Sequence, residues 1–444
     1  MHPKTIDMGL ARVTAVARAL GVDKPACPVI TVGGTNGKGS TVVHLDGLLR
    51  ASGASTGMFT SPHFLRYNER IRVNGVEVAD QDLVAAFESI ERARGSTTLT
   101  FFEYNALAAL VIFAERAVDV AILEVGLGGR LDAVNLVDPD VGVVCSIGFD
   151  HRDYLGDTLD LIGAEKAGIF RSDRPAVLGT DDMPASVYAV IEKLQARPVV
   201  AGRDFSWQVE AGAAGTAHWS YKGLQPKRSG GNPAKRRRRD AGQLSLRDLP
   251  PSALVGSIQY RNAATALAAL EALLANGALA GKRRLPTLEL NERTVSAALR
   301  GVRLAGRFQV SQRAGVEWIL DIAHNEPAAA IFARHVRERP LPAPGSGRTF
   351  AVVAILGDKD AKAIAGSLEP LVQHWILCGL QGPRGTSAEQ LSERLHLPTS
   401  AVTLAPSVEA GCERAQAIAR PGDRVLVFGS VRTVGPALQW LGIY

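Results

Sequence analysis

The chain is 444 residues long, 46% apolar and 21% charged, with a formal net charge of +6. That length predicts two or three domains with ample core, and no stretch has the length and uniform apolarity of a membrane span. Cys27, Cys145, Cys378 and Cys412 form no CxxC pair, which argues against a zinc knuckle or disulfide framework and fits a reducing, cytoplasmic setting, as does a start (MHPKTIDMGLARV) without a signal-type apolar run.

The first predicted unit is the apolar run Val29 to Val32, then Gly34-Thr35-Asn36-Gly37-Lys38-Gly39-Ser40, then TVVHLDGLLRASG with helical periodicity. Strand, glycine-rich turn and helix N-terminus together aim backbone N–H groups at an anion. Lys38 adds a mobile cation, and Ser40 or Thr41 adds a hydroxyl for Mg²⁺, so the predicted ligand is a nucleoside triphosphate. The loop is a variant of the common phosphate-binding pattern: Val32 stands where its first glycine belongs and Gly39 where its Ser/Thr belongs. A plain Gly-rich hairpin is the competing reading.

Further along, Ser55 to Thr60 reads as a strand before Ser61-Pro62-His63, and Phe101 to Ala117 as a helix carrying Glu103 and Tyr104 near its start. Val118 to Val125 and Val141 to Ile147 are apolar runs of the kind found in parallel strands buried on both faces. Glu124 ends one, and Asp150-His151 follow the other. Three polar clusters thus follow three strands, and ligands of open α/β sheets bind at the carboxyl ends of strands. A helix is expected from near Ile162, where Lys166 reads as a surface residue. Trp207 to Val209 and Ala217 to Tyr221 look like antiparallel strands beside a Gly-, Pro- and Ser-containing basic segment. Lys227, Arg228, Lys235, Arg236, Arg237, Arg238 and Arg239 carry seven positive charges there, and without them the chain sums to −1. With no aromatic stacking platform and no recognised module, this is expected to be a solvated loop, an insertion at about 222–247, and nucleic acid is not the expected partner. Asn262 to Ala275 and Asn291 to Arg300 read as helices. A second α/β unit begins near Leu304, with strands at Glu317–Leu320, Phe350–Leu356, Trp375–Cys378 and Arg424–Phe428, and with Asp321, Asp358 and Ser430 at or just after strand ends. The expected domains are therefore 1–303 and 304–444, facing each other across a ligand cleft.

GTNGKGS, SPHFLRYNERIRVNG, FFEYNALAAL, ILEVGLGGRLDAVN, FDHRDYLG, EKAGIFR, NAATALAAL, GRFQ and DIAHN occur in this order. Together they resemble the bifunctional dihydrofolate synthase/folylpolyglutamate synthases of the Mur ligase superfamily, over nearly the whole chain. The resemblance implies an α/β fold: a P-loop-containing parallel-sheet ATPase domain followed by a smaller Rossmann-like domain. It implies ATP-dependent amide formation between dihydropteroate or reduced folates and L-glutamate, by a monomer. A carboxylate is a poor acyl donor, and phosphorylation by ATP gives an acyl phosphate that the glutamate amine can attack. Catalysis is then mainly positioning and charge stabilisation.

Residue by residue, Thr35, Asn36, Gly37, Lys38, Gly39 and Ser40 match the family's phosphate loop, and Asn262, Arg307 and Asp321 its further ATP contacts. Ser40, Ser61, Glu124, His151 and Lys166 match its metal set, with two Mg²⁺ sites expected and Lys166 as a carbamate. Lys38, Lys166, His151 and Arg307 are the implied catalytic residues. Read alone, His151 fits a turn cap as well as a ligand, because imidazole favours softer metals than Mg²⁺. Asp7, Met8, Gly9 and Leu10, then Thr100, Phe101, Phe102 and Glu103, then Leu131, Asp132 and Ala133 match three pterin-contacting segments. Acidic side chains suit a pterin's N–H donors, whereas Phe101 also reads as core. His324 and Ser430 are glutamate candidates. The lesser alternative for Arg307 is an interdomain ion pair, and for His324 a partner of a helix N-terminus. Ala305, Glu326 and Arg261 stand where the family commonly has proline. Two other readings remain: a Mur-type ligase of another carboxylate, opposed by SPHFLRYNER and FFEYN, and a nucleotide-binding interaction protein using the basic loop.

Overall fold

The computed structural model describes residues 9–211, 217–225, 243–276, 282, 285–343, 345 and 347–444. Asp7, Met8 and the basic cluster lie outside them. Two compact units divide the chain. One comprises 1–62, 67–253 and 259–303; the other comprises 63–66, 254–258 and 304–444.

The first unit is built on eight strands: β1 Val29–Gly33, β2 Thr56–Phe59, β3 Ile71–Val73, β4 Val76–Glu77, β5 Val120–Glu124, β6 Val141–Val144, β7 Pro175–Leu178 and β8 Arg197–Val200. They lie in the order β4-β3-β2-β5-β1-β6-β7-β8. From β2 to β8 neighbouring strands are parallel; β3 and β4 form an antiparallel margin. The strands that carry the loop and Glu124 are parallel to their neighbours in the body of the sheet, as the sequence suggested. Every residue of β1, β2, β5, β6 and β7 is buried, as continuous apolar runs require. Helices α1 Ala11–Leu20, α2 Lys38–Ala51, α3 Asp80–Arg94, α4 Phe101–Glu115, α5 Arg152–Leu155, α6 Leu159–Ala167, α7 Ala185–Leu194, α8 Ile258–Ala275 and α9 Glu292–Gly301 complete the unit.

The strand order reverses at β1. Its register sets Val32 beside Glu124 of β5 and Gly33 beside Val144 of β6. The chain therefore leaves three adjacent strands at one edge, carrying the phosphate loop, Glu124 and Asp150-His151. That edge is where a doubly wound sheet opens a crevice.

A small sheet in the order β11-β10-β9 follows, from β9 Ser206–Ala211, β10 Ala217–Lys222 and β11 Ser245–Leu249. The antiparallel β9–β10 pair was expected. Strand β11 was not, because SLRDL has no apolar run; its two buried residues, Leu246 and Leu249, find cover only once β10 is in place.

The second unit's sheet runs β12-β13-β17-β14-β15-β16, from β12 Gln309–Arg313, β13 Val316–Asp321, β14 Thr349–Val353, β15 His374–Cys378, β16 Val402–Ala405 and β17 Arg424–Phe428. Only β12 is antiparallel to its neighbour. Its helices are α10 Glu326–Glu338, α11 Ala361–Gly366, α12 Ala388–Leu395, α13 Val408–Ile418 and α14 Val431–Leu441. Strand β14 stops at Val353, so Asp358 lies five residues past it, where Arg384 binds it at 2.6 Å. No helix among the described residues is long and apolar enough to cross a membrane.

Candidate active site

The phosphate loop is held open by its own backbone and by the segment after β6. Gly37 adopts φ +89°, in the left-handed region. A Cβ there would stand 3.0 Å from the Asn262 Oδ1 atom, so glycine lets α8 bring Asn262 against the loop. Helix α2 starts at the next residue with no side-chain cap, leaving its first amides to serve an anion. Thr35 N donates to Ser146 O (2.8 Å), Thr35 Oγ1 donates to Gly148 O (3.0 Å), and Ser146 Oγ donates to Asn36 O (3.0 Å). Ser146 and Gly148 are thus part of the loop's support. Their spacing before Asp150-His151 carries no motif that sequence reading could have seized. Lys38 folds back, Nζ donating to Gly34 O at 3.0 Å and Thr35 O at 3.1 Å. Ser40 is buried in the first turn of α2, and its carbonyl receives Nδ1–H of His44 at 2.7 Å; Nε2 of His44 then accepts from Ser252 Oγ at 2.9 Å. Burial holds the His44 imidazole neutral, down to about 4.

Lys166 lies on the last turn of α6, which begins at Leu159. It is 5% exposed, correcting its reading as a surface lysine: the helix turns that face onto the sheet edge. Its Nζ donates to Gly34 O at 3.1 Å, the same carbonyl that receives Lys38. Burial first, and the Lys38 charge second, press its ammonium down to about 7. Two amines on one carbonyl repel when both are charged, so one of them is poised to be neutral.

Glu124 is 4% exposed at the end of β5, and its Oε2 accepts from Ser61 N at 3.3 Å. This joins two of the expected metal residues. His151 adopts φ +52° at the N-cap of α5, where its side chain makes no capping bond. Its backbone N–H donates to Asp150 Oδ1 at 2.9 Å, and its Nε2 stands 3.8 Å from Asp150 Oδ2. The turn reading is correct for its position and not for its imidazole. No group of three or more His, Cys, Asp or Glu able to share a metal occurs among the described residues. The expected set has only two such side chains and otherwise hydroxyls and a lysine. An oxygen-rich set of one buried carboxylate and two hydroxyls fits Mg²⁺ by donor type.

The pterin segments show a different character. Thr100 and Glu103 form a reciprocal capping box on α4: Thr100 N donates to Glu103 Oε2 at 2.6 Å, and Glu103 N to Thr100 Oγ1 at 3.2 Å. Arg12 donates to the other Glu103 oxygen at 3.3 Å. Asp132 is buried and accepts from Gly126 N (3.0 Å), Leu127 N (2.8 Å) and Val134 N (3.0 Å), clasping the turn after β5. Burial raises its carboxyl to about 6 against those three donors. Leu131 and Ala133 flank it; Ala133 is buried and opens a short 3₁₀ turn. Phe102 packs on Phe59, centroids 5.8 Å apart, and fills the space above Gly126, where a Cβ would come within 2.5 Å of its ring. Phe101 remains 41% exposed, edge-on to Tyr67 at 5.8 Å, with the Arg70 guanidinium 5.2 Å from its centroid. Arg70 went unremarked in the sequence. Burial lowers its pKa, and Tyr67, Glu69 and Glu124 oppose that. Gly9 and Leu10 lie at the start of α1, Leu10 at its N-cap position.

In the second unit, Asp321 ends β13, paired with Phe428 of β17. Its Oδ2 accepts from Phe308 N and its Oδ1 from Ala323 N, each at 2.9 Å. Burial raises its carboxyl, opposed first by the charge of Arg307 and more weakly by His324. Ser430 sits at the N-cap of α14, just past β17, with Oγ 2.9 Å from Thr433 Oγ1. Arg307, Asp321, His324 and Ser430 therefore gather around the carboxyl ends of two adjacent strands.

Family models agree with this architecture: the Mur ligase middle domain matches residues 32–270, and the Mur ligase glutamate ligase domain matches residues 306–431. The chain belongs to the Mur ligase family, among its dihydrofolate synthase/folylpolyglutamate synthases. The dihydrofolate synthase/folylpolyglutamate synthase of Escherichia coli K12 is 41% identical, covering 99% of this chain and 92% of its own length. That of Haemophilus influenzae is 37% identical, with coverage of 98% and 93%. Among solved structures, E. coli FolC in complex with DHPP and ADP superposes with a TM-score of 0.84 at 40% identity, covering 99% of this chain and 95% of that one. A bifunctional folylpolyglutamate synthase/dihydrofolate synthase with Mn, AMPPNP and L-glutamate bound gives 0.82 at 36% identity, covering 99% and 95%.

Proposed function

We propose that this chain is an ATP-dependent acid–amino-acid ligase that joins L-glutamate to dihydropteroate and to reduced folates through an acyl phosphate. The observation that carries the reading is the Gly34 carbonyl, which receives Lys38 and Lys166 together at the mouth of the phosphate loop. The triphosphate would rest on the loop amides from Thr35 to Ser40, with Lys38 offsetting its charge and Asn262 against Gly37. A carboxylate oxygen of the acid attacks the γ-phosphorus, that O–P bond forms, and the bond to the ADP oxygen breaks. The glutamate amine then adds to the acyl carbon and phosphate leaves.

Ser40, Ser61, Glu124, His151 and Lys166 would hold Mg²⁺ at two sites. The ion supplies charge neutralisation between the phosphate oxygens and the incoming carboxylate. A neutral Lys166 amine would form an N–C bond to CO₂ and release one N–H proton to solvent, becoming a carbamate anion that suits a cation-binding set and removes the repulsion with Lys38. Arg307 and Asp321 are assigned to ATP, and His324 and Ser430 to glutamate. The pterin is assigned to Asp7, Met8, Gly9 and Leu10, to Thr100, Phe101, Phe102 and Glu103, and to Leu131, Asp132 and Ala133. The domains are taken as 1–303 and 304–444, and the active form as a monomer in the cytoplasm.

The test is product formation by the purified chain. ADP and phosphate are expected only when dihydropteroate, glutamate, ATP and Mg²⁺ are all present; ATP turnover indifferent to the pterin acid refutes the substrate assignment. Stripping CO₂ should slow the reaction and bicarbonate should restore it. A rate insensitive to both would remove the carbamate.

A further inference from the structure

Register places one more cation at the same sheet edge. Strand β2 pairs Phe59 with Ile71 of β3 on one side and with Leu123 of β5 on the other. The next row of backbone is Arg70, Thr60 and Glu124, and Thr60 N donates to Arg70 O at 2.8 Å. Arg70 and Glu124 thus flank Thr60, roughly 10 Å apart at the backbone, two strand spacings. The Arg70 side chain is 7% exposed, with its guanidinium carbon 5.2 Å from the Phe101 centroid and 6.0 Å from that of Tyr67. Phe101, in contrast, is 41% exposed. An arginine lies here between an open aromatic face and a buried carboxylate of the phosphoryl-transfer edge.

We infer that Arg70 receives the carboxylate of the acid substrate and orients it towards the γ-phosphoryl group. The inference rests on the ligase reading. The acid substrate has an aromatic body and an anionic end. Its anion must approach Glu124 and a triphosphate, both negative, so the approach needs a cation on the aromatic side. Lys38 lies on the phosphate side, tied to Gly34 and Thr35. A guanidinium is a planar fork whose N–H groups match a carboxylate bidentately. Phe101 and Tyr67 lie within cation–π distance of that fork, and Arg70 takes up no proton during the reaction. The same donors face the acyl oxygen on which charge develops when the amine adds.

The experiment compares dihydropteroate with its uncharged carboxamide, by equilibrium binding to wild-type chain, Arg70→Gln and Arg70→Lys. Wild type should prefer the acid by roughly tenfold to a hundredfold, the range for a hydrogen bond to a charged group. Arg70→Gln should bring the preference to about twofold or less while ADP affinity and carboxamide affinity hold. Arg70→Lys, which keeps the charge and loses the fork, should fall between them and raise KM for the acid without raising KM for ATP. Should Arg70→Gln fail to fold, the lysine variant decides alone. Retention of the full acid preference in either variant overturns the assignment, as does an equal loss of acid and ADP binding. If wild type binds the acid yet releases no ADP when glutamate, ATP and Mg²⁺ are present as well, the ligase reading falls, and the Arg70 assignment with it.

Discussion

The phosphate end and the pterin end of the first unit use their polar residues differently. At the phosphate end, backbone geometry does the holding: a left-handed Gly37, an uncapped helix and the Ser146–Gly148 clasp leave Lys38 and Lys166 to share one carbonyl. At the pterin end the acidic residues already have local employment. Glu103 completes a capping box and Asp132 gathers three backbone N–H groups. A motif match therefore means different things at the two ends. In the loop the matched residues leave backbone groups open to the proposed ligand, whereas in FFE and LDA they also build turn architecture.

Substitutions can break that contrast. Lys38→Ala should lower kcat by about a thousandfold or more, the scale of losing a charge aimed at the transferring phosphoryl group, with a melting temperature near that of wild type. A steady-state ADP assay with a thermal melt checks both, and a large fall in melting temperature would mean that the loop needs its lysine to fold. Acidification should separate the ends further. The His44 imidazole is depressed from 6.5 to about 4, so its stabilising neutrality is present above pH 6.5 and is lost as pH falls towards 4. That loss is about 3 kcal/mol at most, and urea titrations across this window should show it shrinking in His44→Gln.

At the pterin end, Asp132→Asn replaces an acceptor oxygen by a donor facing a backbone N–H, which should cost about 1–3 kcal/mol. Glu103→Gln sharpens the comparison, because glutamine still completes a capping box. Its urea midpoint should hold while KM for dihydropteroate rises a few-fold; Glu103→Ala should lower stability by about 1 kcal/mol as well. An unchanged KM in Glu103→Gln would leave this carboxylate a cap alone. The smallest effect belongs to deletion of residues 227–239, which should leave ligase turnover within about twofold, since a run of like charges serves solubility before catalysis.

Most of the phosphate end was legible in the sequence. Glycine and lysine spacing determines what a loop's backbone can do, and continuous apolar runs announced β1, β5 and β6. The capping box was legible too, as Thr100-Phe-Phe-Glu103, yet a reading for substrate contacts passed over it. Strand β12 could not be read, because Gln309 to Arg313 is a half-buried margin with one apolar residue, and its ladder to β13, not its side chains, makes it a strand. Lys166 was misplaced for a related reason. Helix α6 spaces its apolar residues without a clear stripe, so nothing local says which face meets the sheet. Arg70 was hidden within a matched motif: its position beside Thr60 depends on how β3 doubles back on β2.

Gly126 and Phe102 carry a consequence of their own. The ring occupies the volume any larger residue at 126 would need, and Gly126 stands two positions after Glu124. Helix α4 is in effect bolted to the strand that ends in Glu124. On the proposed assignments, trimming Phe102 to enlarge a pterin pocket would slacken the Glu124 end at the same stroke, coupling substrate range to turnover through a single aromatic wedge.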